Sequence, residues 1–100
     1  MEEYNVIISS AGQNDFLEIT EFLELLSPEE ATVYLDSVLE KTRILAATPE
    51  ICPFARDSQL RLRGYRVLSV DNYIFFFTMS GKNVYIRRIL YARRQYDRVL

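Results

Sequence analysis

Nine arginines crowd the second half of this chain, at Arg56, Arg61, Arg63, Arg66, Arg87, Arg88, Arg93, Arg94 and Arg98, and tyrosines are interleaved among them at Tyr65, Tyr73, Tyr85, Tyr91 and Tyr96. A guanidinium makes planar, bidentate contacts with phosphate or carboxylate. With a pKa above about 12 it stabilises negative charge but shuttles protons poorly. The sequence has no histidine, so acid-base work would fall to a tyrosine or a carboxylate. Cys52 is the only cysteine. It can form no intrachain disulfide, belongs to no thiol cluster that could hold zinc, and has no histidine to activate it. It reads as a small residue tucked under a loop. No metal site and no cofactor is expected.

Dividing the chain at its midpoint exposes a charge asymmetry that the net charge of -2 hides. Residues 1–50 hold eleven carboxylates and two bases, and residues 51–100 hold ten bases and three carboxylates. A basic second half can face an anionic partner. Acidic helices can equally neutralise a basic sheet within one molecule, and both readings are expected to hold for different arginines. Glu18, Glu21 and Glu24 have no acid or metal partner in prospect and read as a solvated helix face.

The elements that must position these residues follow from periodicity. Val6, Ile7 and Ile8 predict a first strand ending at Ser9 or Ser10. Ser10-Ala11-Gly12-Gln13 has the spacing of a capping box, and Phe16, Ile19, Leu23 and Leu26 then recur at helical intervals. Ser27-Pro28-Glu29-Glu30 predicts a second helix, with Ser27 as cap, Pro28 in the first turn and Glu30 reaching back. Its apolar stripe runs through Ala31, Leu35, Val38, Leu39, Thr42 and Leu45, and it must end before Pro49. From Pro49 to Arg63 no period is clean, and a surface loop is expected. Tyr65 to Val70, Tyr73 to Met79 and Val84 to Leu90 read as strands separated by Asp71-Asn72 and by Ser80-Gly81-Lys82-Asn83. The expected architecture is therefore α+β over a single domain, residues 1–100. An N-terminal strand and an α-helical hairpin precede a three-stranded antiparallel meander, in one sheet with the helices on one face.

Strand parity assigns faces. Arg88 falls in the row of Val84, Ile86 and Leu90, which predicts a structural arginine paired with a helix glutamate. Arg66, in the row of Leu68 and Val70, is open to a structural or a functional role. Arg87 shares a row with Tyr85, Ile89, Tyr91 and Arg93, the preferred functional face. Tyr65, Tyr73 and Phe75 to Phe77 read as core. The longest apolar run, Tyr73 to Phe77, is far short of the roughly 20 residues that cross a bilayer. The acidic start, Met1-Glu2-Glu3-Tyr4, is unlike a secretory signal. A cytoplasmic protein is expected, without membrane association and without a small-molecule substrate.

The order of these elements, with Ser27-Pro28-Glu29-Glu30-Ala31 opening the second helix, Pro49-Glu50 closing it, Gly64-Tyr65-Arg66-Val67-Leu68, Val70-Asp71-Asn72-Tyr73, and Val84-Tyr85-Ile86 running into Arg88-Ile89-Leu90-Tyr91-Ala92-Arg93-Arg94-Gln95-Tyr96, resembles the RelE/ParE superfamily of type II toxin-antitoxin systems. The resemblance spans nearly the whole chain. It implies a toxin neutralised by a cognate antitoxin protein. RelE-like members cut messenger RNA on the ribosome, whereas ParE-like members inhibit DNA gyrase. The first expectation is ribosome-dependent cleavage of messenger RNA by an endoribonuclease. The alternatives are gyrase inhibition without nuclease activity, or a non-toxic RNA- or protein-binding relative.

By that resemblance Arg66 and Arg93 fall where RelE-like enzymes place active-site arginines, for phosphate contact. Tyr91 and Tyr96 join them as catalytic candidates, stacking on bases or handling protons. Arg61, Arg63, Arg87 and Arg94 are the nucleic-acid-binding candidates. Two departures count against cleavage. Many relatives have a histidine where this chain has Tyr91, and the lysines that some carry before the Gly-Tyr-Arg step are replaced by residues near Asp57 and Gln59.

Overall fold

The computed structural model describes residues 3–93. Strand β1 (Asn5–Ile8) leads into helices α1 (Ser10–Leu26) and α2 (Pro28–Ala47). A 3-10 turn (Pro49–Ile51) and a short helix α3 (Ser58–Leu62) follow, then β2 (Arg66–Val70), β3 (Tyr73–Ser80) and β4 (Asn83–Tyr91). The sheet runs β1-β4-β3-β2. β2, β3 and β4 are the expected antiparallel meander, and β1 lies parallel to β4.

Caps set the hairpin. The Ser9 side chain, not that of Ser10, accepts from the Gly12 amide, so the α1 cap lies one residue earlier than the spacing predicts. Gln13 still reaches back, donating to the Ile8 carbonyl. Ser27 caps α2 by accepting from the Glu30 amide, with Pro28 in the first turn. The Ser27 hydroxyl donates in turn to the Glu29 carboxylate, one residue before the glutamate expected to reach back.

The hairpin covers one face of the sheet. Tyr34, Val38 and Leu45 pack on Val70, Tyr73, Phe75, Phe77, Val84, Ile86 and Ile89. Tyr34 takes the core position that the sequence stripe gives to Leu35 and Leu39, and Leu39 is exposed. The opposite face is not bare. Ala55, Leu60 and Tyr65 pack there on Phe76 and Leu90. The segment read as a surface loop therefore builds a second, smaller core. Asp57 caps α3 by accepting from the Leu60 amide.

Candidate functional site

A β-bulge decides which arginines share a face. The β3–β4 register shifts between Phe76, opposite Arg88, and Phe77, opposite Ile86, which leaves Arg87 as the extra residue on β4. Alternation of side chains is lost at such a point. Tyr85 and Arg87 consequently lie on the α3 side, where Arg87 donates to the Thr78 hydroxyl at 3.0 Å and stands 4.9 Å from the Tyr85 ring centre. Ile89 is buried in the hairpin-side core, and Tyr91 makes an edge contact with Tyr73 there. The single row from Tyr85 to Arg93 expected from parity is thus divided between two faces.

Arg88 is structural, with a different partner from the one expected. β1 ends at Ile8, so among the described residues the edge of β4 beyond Ile86 has no strand beside it. Ser9 donates through its hydroxyl to the Arg87 carbonyl, and the Asp15 carboxylate accepts from the Ile89 amide at 2.9 Å. Arg88 then grips both Asp15 oxygens, at 2.7 and 3.0 Å. That hydrogen bonding is the main reason its pKa is raised. The shorter side chain of Asp15, not a glutamate, suits the close approach of α1 to the strand edge.

Arg66 is half-buried on the hairpin side. Its guanidinium donates to the carbonyls of Cys52 (2.7 Å) and Glu50 (3.3 Å) and stacks 4.0 Å from the Phe54 ring centre. It fastens the turn after α2 to the edge of β2. Beside it, Tyr4 donates to the Glu50 carboxylate. Glu50 is held below its usual pKa chiefly by that bond, then by a backbone amide and by the charges of Arg66 and Lys82. Burial pushes the Cys52 thiol up, which leaves it a poor nucleophile.

Arg66 and Tyr91 do not meet. Arg66 pairs with Phe77 at one end of the meander, whereas Tyr91 lies beside Tyr73, which pairs with Val70 at the other. Four residues of strand, about 13 Å, separate those positions. Arg93 is exposed just after Tyr91, where Ala92 donates to the Asn72 carbonyl. Arg94 and Tyr96 lie outside the described residues.

The remaining candidates gather on the α3 side. Arg61 is exposed and donates to the Arg56 carbonyl, and Arg63 stands 5.3 Å from the Tyr65 ring centre. Arg56 and Asp57 line a cavity of about 470 Å³ there, floored by Val67, Ile74 and Phe76. The charge asymmetry of the sequence becomes spatial: acidic hairpin on one face, basic α3 side on the other. Arg56 and the floor beneath it were missed by sequence reading. The Asp57 cap followed three residues later by Leu60 was the available signal for α3. Among the described residues no group of His, Cys, Asp and Glu could hold a metal ion. No described helix is long and apolar enough to cross a membrane.

This architecture matches a solved structure described as the chromosomal ParDE TA system from P. aeruginosa, with a TM-score of 0.71 at 18% identity, over 90% of this chain and 97% of that one. Helical hairpin, meander and parallel N-terminal strand are the fold that the two share. The sequence model of the ParE toxin of the type II toxin-antitoxin system parDE matches residues 6–96. The chain belongs to the ParE toxin family. No curated protein matches it.

Proposed function

We propose that this chain is a cytoplasmic toxin held inactive by a cognate antitoxin protein, and that it arrests growth by binding DNA gyrase rather than by cutting messenger RNA. Family membership supports the toxin and its antitoxin. The choice of target rests on one observation. Arg66 is committed to two main-chain carbonyls and the Phe54 ring, at the opposite end of the meander from Tyr91. Cleavage by 2′-hydroxyl attack needs a base, a charge stabiliser and an acid within hydrogen-bond reach of one phosphate. Such a cluster is not assembled among the described residues.

A binding toxin makes no such demand. Tyr91 and Arg93, exposed at the end of β4, are the proposed target contacts, continued by Arg94 and Tyr96. Arg61, Arg63 and Arg87 supply a basic surface for an anionic partner. Ribosome-bound messenger RNA is the competing target, favoured by the stacked Arg87 and Tyr85 pair, which could hold a phosphate and a base. Induction in cells with primer extension on a reporter message separates the two. Growth arrest with an intact message is expected, relieved by Arg93→Ala. Ribosome-dependent cuts that vanish in Arg93→Ala would establish the nuclease instead.

A further inference from the structure

At the tip of the helical hairpin, where the α1–α2 turn meets the β2–β3 turn, Leu23, Glu29, Glu30, Val33, Tyr34, Asp71, Asn72 and Tyr73 enclose a cavity of about 320 Å³. Ligand pockets run from about 300 to 1,000 Å³, so there is room for one side chain and little more. The walls are apolar and the polar lining carries three carboxylates without a basic residue. Two of the acids are fixed. Asp71 accepts from the Ser37 hydroxyl, and Glu29 accepts from Ser27. Hydrogen bonds to the backbone and to Ser27 hold Glu29 below its usual pKa, so it stays ionised.

The second observation is independent of the acids. Tyr34 is 2% exposed, and its hydroxyl has no hydrogen-bond partner. Buried hydroxyls are almost always satisfied, and leaving one without a partner is costly. Its neighbours fix the ring rather than satisfy the oxygen: Tyr73 packs edge-on at 5.3 Å and Phe16 tilts against it at 6.3 Å. Burial, then Tyr73 and Asp71, push its pKa up, so it remains a neutral phenol. An unpartnered phenol oxygen in the lining of an apolar cavity that also carries three carboxylates is complementary to an N–H donor carrying positive charge on an aliphatic stem.

We infer that this cavity is a socket for a lysine or arginine side chain of the cognate antitoxin, with the Tyr34 oxygen and the Glu30 and Asp71 carboxylates taking its N–H groups. This rests on the toxin reading above for the identity of the partner. The surroundings suit a protein segment. Val33 in the cavity lining is 60% exposed, and Leu25 and Leu26 at the end of α1 are 87% and 62% exposed, apolar surface for the residues on either side of the basic one. The acidic hairpin complements a basic side chain and repels nucleic acid. The socket lies on the hairpin side of the sheet, while the basic α3 surface lies on the other, so it reads one feature of the partner without competing for anions.

The test uses the full chain and n-butylguanidinium as the probe, with n-pentanol as the neutral control, followed by NMR. Saturable shifts confined to Tyr34, Asn72 and Val33 are expected with the cation and not with the alcohol. The double variant Glu30→Gln, Asp71→Asn should bind about tenfold more weakly or worse. Asparagine tolerates the positive φ of 56° at position 71 and can keep the Ser37 bond, so folding is preserved. Shifts that are absent, or unchanged in the double variant, overturn the socket, as does an NOE in the free protein from Tyr34 to one of the chain's own arginines. Growth is read separately, with the antitoxin encoded beside this chain. Arrest by both forms, with the double variant poorly neutralised, supports the socket; equal neutralisation overturns it. Absence of arrest by the wild type sinks the toxin reading and leaves the titration to judge the socket.

Discussion

Replacing Arg66 separates a structural strut from a catalytic group. In Arg66→Ala the Cys52 carbonyl loses a 2.7 Å charge-assisted bond, the Glu50 carbonyl loses a weaker one at 3.3 Å, and Phe54 loses a cation 4.0 Å from its ring centre. A hydrogen bond to a charged group is worth about 1.5–3 kcal/mol, and a partly exposed cation–π contact about 0.5–1 kcal/mol. The guanidinium is only half-buried, so solvent screening reduces the sum to about 2 kcal/mol. For a domain of this size that lowers Tm by about 8–16 °C. Urea denaturation followed by circular dichroism measures it, alongside growth arrest at 25 °C, where most of the variant stays folded. Arg66→Lys, which keeps a cation but not the fork, should fall between. Unchanged stability with abolished toxicity would refute the strut and restore Arg66 to a reacting site.

Four further outcomes follow from the same geometry. Asp15→Ala takes a bidentate carboxylate from Arg88 and the acceptor from the Ile89 amide, and should destabilise by about 2–3 kcal/mol in urea; Asp15→Asn, which can still accept from Ile89, should lose about half of that. Tyr34→Phe removes a buried, unpartnered hydroxyl and should stabilise the free chain by about 1 kcal/mol, while weakening butylguanidinium binding. Gly12→Ala would bring a methyl to 3.0 Å from the Ile86 carbonyl oxygen, which already accepts from the Ser9 amide; a loss of about 1 kcal/mol is expected in urea despite the better helix propensity. Glu50 titrates lower in the folded chain than its ordinary 4.5, so its contribution is complete above that value and is lost as pH falls through the folded pKa. Urea curves of the wild type and Glu50→Gln should differ at neutral pH and converge in acid; a constant difference would contradict the Tyr4–Glu50 bond.

Regular elements were legible because their signals are local. Ser27-Pro28 announces α2, and Val6 to Ile8 and the aromatic runs of β2 to β4 announce strands, each through residues adjacent in the chain. What was not legible depends on contacts across the chain. Leu35 and Leu39 fit the helical stripe as well as Tyr34 does, and only the position of Tyr73 and Phe16 selects Tyr34 for the core. The five residues of α3 are too few to show a period, so its role in covering Phe76 and Leu90 was hidden in an apparent loop. The bulge at Arg87 has no glycine to mark it, and a single inserted residue moved Ile89 and Tyr91 to the opposite face from Tyr85. Parity arguments were sound up to Ile86 and misleading beyond it. That one irregularity disperses the aromatic and basic row on which the candidate site had been placed.

The measurement that bears most directly on the account is a supercoiling assay with purified gyrase and the purified chain, run beside programmed ribosomes with a defined message. Blocked supercoiling that is restored by Arg93→Ala, with the message uncut at every concentration, is the predicted result. Normal supercoiling together with ribosome-dependent cuts would contradict it.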